Sequence, residues 1–254
     1  MKKTLTTIML CTVIMTTAAQ EKKANDPKAI DIIVKMEEKL NLDSTDVTST
    51  FSLVQRKEGE ADRVLKIRVF RRDRAKKFTL IFQYPESEKG KGYYRDEDNL
   101  YLYLPSTREF VFRNRKDDVG STDVRTDLFG KLDLLKQYRA VQDGTQQVAK
   151  TDCNVIKLEA FALDVSFPVQ KWYVRKSDGL PMKVENFSAS NTLLRTFFYI
   201  DYKEVKPGKY LFTKLMAVNN LEKNQRTFLT NEDISGAIIP DYTFSQAFLE
   251  EQSR

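Results

Sequence analysis

The 254 residues include no histidine, and this absence constrains the chemistry more than any motif that is present. Ser–His–Asp and Cys–His nucleophile arrangements are excluded, as is every zinc site that uses imidazole. The two cysteines, Cys11 and Cys153, are too few for a thiolate-only zinc site. Gly90-Lys91-Gly92 is too short for a phosphate loop and lacks the later glycines and the helix start. Asp96, Glu97, Asp98 and Asn99 supply oxygen ligands but not the spacing of a calcium loop, and read as a solvated hairpin turn. Asp117, Asp118, Asp123 and Asp127, with Lys116 and Arg125 among them, could furnish a glycosidase-like carboxylate pair, yet no spacing singles one out. The expectation is a protein without catalytic residues, metal or cofactor. The basic run Arg71-Arg72-Asp73-Arg74-Ala75-Lys76-Lys77 falls in an expected hairpin turn. It reads as a solubilising loop, with anionic headgroups or an acidic partner as the alternative.

The compartment is written at the N-terminus. Lys2 and Lys3 precede a short apolar stretch, Leu5 to Met15, and Thr17, Ala18 and Ala19 supply the small residues of a cleavage site. Residues 1–19 therefore read as a signal peptide, and 20–254 as one exported domain of 235 residues. The apolar stretch is too short to span a bilayer permanently. Cys11 would be the anchor of a lipoprotein, but Ile8-Met9-Leu10 places bulky groups before it, so a periplasmic protein is expected ahead of a membrane-anchored one. Cys153 would then have no disulfide partner, and between Asp152 and Asn154 it reads as an incidental small residue. The net charge of +6 drops to +4 without Lys2 and Lys3. This suits an anionic membrane or acidic partner and is too small to argue for nucleic acid.

The elements that would position any site are mostly strands. Asp26 and Pro27 give an N-cap and helix start, followed by Ile30, Ile33, Val34 and Leu40 at helical spacing. Thereafter alternation with period two marks strands around 51–55, 65–69, 78–84, 100–104, 110–113, 155–161, 169–175, 182–187, 193–202, 212–218 and 226–230. Short turns such as Lys57-Glu58-Gly59, Ser177-Asp178-Gly179 and Lys206-Pro207-Gly208 favour antiparallel neighbours, and a sheet of ten or eleven strands should curl. Residues 122–138 read as helical or irregular, and 244–251 as a short helix.

Two strands are apolar on both faces. Leu100-Tyr101-Leu102-Tyr103-Leu104 has no polar side. Around Leu193–Tyr202, Phe197 and Tyr199 share one face, with Leu194, Phe198, Ile200 and Tyr202 on the other. Such strands must be covered twice, by packed helices or by the contents of an apolar groove.

Several segments in consistent order resemble the outer-membrane lipoprotein-sorting family, the relatives of the carrier LolA. They are Gly90-Lys91-Gly92-Tyr93-Tyr94, then Asp98-Asn99-Leu100-Tyr101-Leu102-Tyr103-Leu104-Pro105-Ser106 with Arg108, then Gly120-Ser121-Thr122-Asp123 with Asp127-Leu128. Lys171-Trp172-Tyr173-Val174 with Asp178 and Pro181 follows, and finally Ile239-Pro240-Asp241-Tyr242-Thr243-Phe244-Ser245 with Phe248-Leu249-Glu250. Tyr101 stands where the family usually has tryptophan, and Thr122 interrupts its Gly-Ser-Asp stretch. The resemblance implies an α+β, mainly antiparallel fold: an incomplete, half-open β-barrel of about ten or eleven strands wrapped around a few helices. It also implies a periplasmic carrier or chaperone that receives lipoprotein or lipid acyl chains in a hydrophobic hollow and helps move them toward the outer membrane. An inner-membrane transporter, an outer-membrane acceptor and transient membrane contact follow as expected partners, with no nucleic acid. The expected lipid-binding wall is Phe78, Leu80, Phe82, Tyr101, Tyr103, Trp172 and Phe198, although a one-residue error in the inward set would move each side chain to the other face. The alternatives are a lipid-sensing accessory subunit of a membrane transport or signalling system, and an adhesin with an ordinary filled core.

Overall fold

The computed structural model of the protein describes residues 25–114 and 117–253; the expected signal peptide and Cys11 lie outside the described residues. Helix α1 (Pro27–Leu40) starts as its sequence requires, with the Asp26 carboxylate accepting from the Lys28 N–H and proline in the first turn. Ala29, Ile33 and Met36 form its buried stripe.

Thirteen strands follow: β1 (Val47–Arg56), β2 (Arg63–Arg72), β3 (Lys77–Tyr84), β4 (Gly92–Asp96), β5 (Asn99–Leu104), β6 (Glu109–Arg113), β7 (Tyr138–Val148), β8 (Thr151–Ala160), β9 (Val169–Arg175), β10 (Pro181–Phe187), β11 (Leu193–Lys206), β12 (Lys209–Asn219) and β13 (Arg226–Gly236). A short C-terminal helix, α2 (Gln246–Gln252), completes the chain. All the strands belong to one antiparallel sheet, in the order β6-β5-β4-β3-β2-β1-β13-β12-β11-β10-β9-β8-β7. Neighbours in sequence are therefore neighbours in space, with two exceptions. β1 pairs with β13, while β6 and β7 are the two free edges. The sheet is not closed into a barrel. Hairpin turns stand where the sequence places them, and Gly179 and Gly208 have φ of 70° and 72°, a left-handed conformation that glycine adopts without steric cost.

The sheet has two strands more than the alternation pattern indicates. β4 is only five residues long, and β7 is a largely exposed edge whose inward set is little more than Tyr138 and Ala140. An edge strand with one polar face and a bulge between Gln142 and Thr145 carries almost no hydrophobic period to read. The segment between β6 and β7 has no α-helix among its described residues. It contains short 3-10 turns at Val119–Ser121, Thr126–Phe129 and Leu134–Lys136.

That segment is a strap laid across the concave face of the sheet. Val119, Val124, Phe129 and Leu134 are buried in the same apolar cluster as residues of β1 to β3 and of β7 to β13. A single cluster touching strands so far apart in the sheet requires the sheet to curl around its contents. Phe129 meets Phe51 edge-to-face at 5.0 Å. The strap also approaches the sheet closely at Gly120, where an added Cβ would lie 2.6 Å from Leu65.

The convex face is covered differently. Tyr103, Ile81 and Tyr94 pack there around Leu249 of α2, with Phe70, Tyr101, Phe110 and Phe248 at the margin. Helical packing therefore accounts for the second apolar face of β5. The first part of the basic run is not a solubilising loop. Arg71 and Arg72 are buried; Arg71 pairs with Asp73 at 2.6 Å, and Arg72 pairs with Asp46 at 2.8 Å. Arg72 also bonds Asp241 and the Ile239 carbonyl and lies 4.2 Å from the Phe244 ring centroid. It ties the segment before α2 to β2.

Candidate functional site

The strand register builds a continuous inward surface. Ile156, Trp172, Val184, Phe197 and Ala217 stand opposite one another in turn from β8 to β12. The next inward row is polar: Leu158 pairs with Gln170, Gln170 with Asn186, Asn186 with Arg195, and Arg195 with Asn219. Between these rows and the strap lies a cleft of about 130 Å³. Its apolar lining includes Trp172, Val184, Phe197 and Tyr199 from the sheet and Leu128, Leu132 and Leu134 from the strap.

β-Bulges on either side of Asp201 alter the expected face pattern of β11. Tyr202 is rotated onto the side of Tyr199, and the two rings stack at 6.2 Å. Phe198 and Ile200 stay on the convex side, where Ile200 is 58% exposed. The expected wall is therefore divided between faces. Phe78, Leu80, Phe82 and Trp172 belong to the concave cluster, and Trp172 alone of the seven lines the cleft. Tyr101 and Tyr103 face α2, because on β5 it is Leu100 and Leu102 that point inward. Phe198 lies opposite to Phe197 for the same reason. Phe82 packs beside Tyr93 at 6.1 Å, close to Gly120 of the strap.

Two polar constructions stand out within this apolar interior. The first is Asp123, 1% exposed on the strap. Its carboxylate accepts from Thr227 Oγ1 at 3.0 Å, Gln225 Nε2 at 2.8 Å, Asn219 Nδ2 at 3.1 Å and Gln55 Nε2 at 3.2 Å, and Arg195 lies 3.6 Å away. This one side chain latches the strap to β1, β11, β12, β13 and the turn before β13. The second is a chain on the cleft floor, in which Trp172 Nε1 donates to Gln170 at 2.7 Å, Gln170 Nε2 donates to Tyr138 at 3.2 Å, and Tyr138 donates to the Phe167 carbonyl at 3.0 Å. Sequence reading places Asp123 in an acidic set without a role. The signal for its role is the run of inward-facing Gln, Asn, Arg and Thr on strands that are otherwise apolar.

Asp127, in the cleft wall, accepts from Ser166 Oγ at 2.5 Å. Burial pushes its carboxyl above the usual range, against the opposing pull of Ser166, Arg125 and Arg95. Asp96 and Asn99 pair across the β4–β5 turn, as a hairpin requires. Among the described residues, no group of three His, Cys, Asp or Glu side chains is placed to hold a metal ion. Nor is any described helix long and apolar enough to cross a membrane. Tyr199 is pushed to higher pKa, chiefly by burial.

Comparison with known proteins agrees with this geometry at the level of fold. A LolA superfamily protein of Nitrosomonas europaea superposes with a TM-score of 0.75 at 17% identity, covering 87% of this chain and 98% of the other. A domain of Vibrio parahaemolyticus described as an outer membrane lipoprotein-sorting protein gives 0.79 at 16% identity, covering 88% and 98%. No curated protein matches the sequence. A family model described as "Uncharacterized protein" matches residues 74–251. The chain belongs to that family, and its fold is that of the LolA superfamily.

Proposed function

We propose that the protein is an exported carrier that holds an acyl chain of a lipoprotein or lipid between the concave sheet and the strap. The observation that carries this reading is the nature of the cover. An apolar concave surface spanning most of an open sheet is closed by a helix and an irregular strap, not by a second sheet. The strap is fastened by a few polar points, Asp123 on the sheet and Asn41 and Glu37 on α1 chief among them. A carrier needs a cover that can leave. The closed cleft of about 130 Å³ is smaller than the roughly 300–1,000 Å³ of ordinary ligand sites, so loading displaces the strap. Each methylene buried contributes about 0.8 kcal/mol, and a chain of ordinary length replaces the apolar contacts that the strap gives up. Capture is reversible because no bond is made. Exchange with an inner-membrane transporter and delivery to an outer-membrane acceptor, both from the periplasm, complete the reading.

Trp172 is the only tryptophan of the chain and lines the cleft, so intrinsic fluorescence reports occupancy. Saturable change on titration with a fatty acid, with lipid recovered by native mass spectrometry of the protein purified from its host, is the expected result. Absence of both overturns the reading. A lipid-sensing accessory subunit would load in the same way but would not pass its ligand to acceptor vesicles, and this transfer assay separates the two.

A further inference from the structure

The cleft also contains one polar group that the protein leaves unmatched. Among the described residues, four buried side-chain atoms lack a hydrogen-bond partner, on Arg125, Asn186, Thr213 and Asn231, and of these residues only Asn186 lines the cleft. Asn186 is 1% exposed, and its Nδ2 makes no hydrogen bond. Buried amide donors are nearly always paired, because leaving one unmatched costs about 1–3 kcal/mol.

No neighbour accepts from it in this structure, and the polar groups beside it are already engaged. Gln170, directly opposite on β9, spends Oε1 on Trp172 and Nε2 on Tyr138. The Tyr138 hydroxyl is committed to the Phe167 carbonyl. Next to Asn186 on the inward face of β10 stands Val184, which has nothing to offer. A buried, unmatched amide donor set among Trp172, Val184 and Phe197 suits a ligand with an acceptor and a hydrocarbon body.

We propose that Asn186 Nδ2 donates to a carbonyl oxygen of the occupant, so that the cleft selects acyl groups (esters, amides or carboxylic acids) over plain hydrocarbon. This deepens the acyl-chain reading and rests on it. No covalent step is involved. The amide fixes how deep the carbonyl sits, and the chain runs along Trp172, Phe197 and Tyr199.

The test titrates the protein with methyl decanoate and with the alkane of equal length, following Trp172 fluorescence, for the wild type, Asn186→Leu and Asn186→Ala. The wild type should prefer the ester about tenfold, the usual worth of one neutral hydrogen bond. Both variants should lose that preference while keeping alkane affinity within about twofold. Asn186→Leu without ligand should melt at or above the wild-type temperature, since an unmatched group has been removed; a purely structural asparagine would lower it. Retention of the ester preference in either folded variant overturns the proposal. So does a wild type that binds both ligands equally, which leaves the acyl-chain reading standing. If neither ligand binds, both readings fall. If the variants lose stability with the ester preference unchanged, Asn186 holds only water and the proposal is overturned.

Discussion

Asp123 shows how much a single side chain can determine. It accepts four side-chain hydrogen bonds, with a guanidinium beside it, and is almost wholly enclosed. Removing one partner of such a network leaves buried donors and a buried cation unmatched, at a cost of about 3–5 kcal/mol. Asp123→Ala should therefore lower the unfolding free energy by that amount, seen as a lower urea midpoint with little change in slope, while fatty-acid uptake becomes faster in stopped-flow fluorescence. Slower uptake in a folded variant would contradict the latch. The face assignment yields a second residue-scale prediction. Phe197→Asp places a charge on the cleft wall and should reduce acyl affinity more than tenfold. Phe198→Asp, one residue on and on the convex side, should leave it within twofold of wild type. Equal effects in a fluorescence titration would mean that the inward set is wrong. In the sequence, Trp172 and Phe82 are legible as inward residues because their strands alternate plainly. Tyr101, Tyr103 and Phe198 are not, because both faces of their strands are apolar and alternation then carries no sign.

At the scale of elements, α1 and the strap hold each other. Asn41 exchanges two hydrogen bonds with the Leu132 backbone, both at 2.9 Å, and Glu37 accepts from the Leu134 N–H at 2.6 Å. Burial pushes the Glu37 carboxyl up to about 7, with Asp133 adding to the rise and Leu134, Lys131 and Lys136 opposing it. The sign follows from linkage. The folded state favours the protonated acid, so its contribution is complete below the ordinary pKa of 4.5 and is lost as pH rises toward 7. Denaturation midpoints measured between these limits should fall with pH, and Glu37→Gln, which retains the acceptor oxygen, should flatten that part of the profile. An unchanged profile in the variant would assign the dependence to other groups. α1 and α2 are visible in sequence through caps, period and the closing Phe-Leu-Glu segment. The strap is not, because its apolar residues serve three short turns and the links between them and share no period. β7 escapes notice for the opposite reason, being an edge that buries too little.

For the molecule as a whole, loading and structure are coupled through the cover. If the occupant replaces the strap, hydrogen exchange at residues 117–137 should rise on addition of fatty acid while the central strands β1 and β13 stay protected. A fall across the strap would place the occupant beneath an unmoved cover. An antiparallel sheet that curls is legible from alternation and short turns alone, and family resemblance adds the half-open barrel and its hollow. Neither reveals how the two edges are joined.

That junction follows from arithmetic. Every pairing in the sheet is antiparallel, so direction reverses at each step, and across thirteen strands the first and last run the same way. β6 and β7 are therefore parallel, and the chain leaving one must travel back the full length of a strand, as well as across the opening, before it can enter the other. A tight turn cannot make that journey; parallel strands need a crossover of a dozen residues or more. With an even number of strands the same two edges could be joined along one rim, and the mouth would stand uncovered. The odd count obliges the chain to return from one rim to the other, and the apolar residues of the strap send that return over the hollow, so parity supplies the crossing and side chains turn it into a lid.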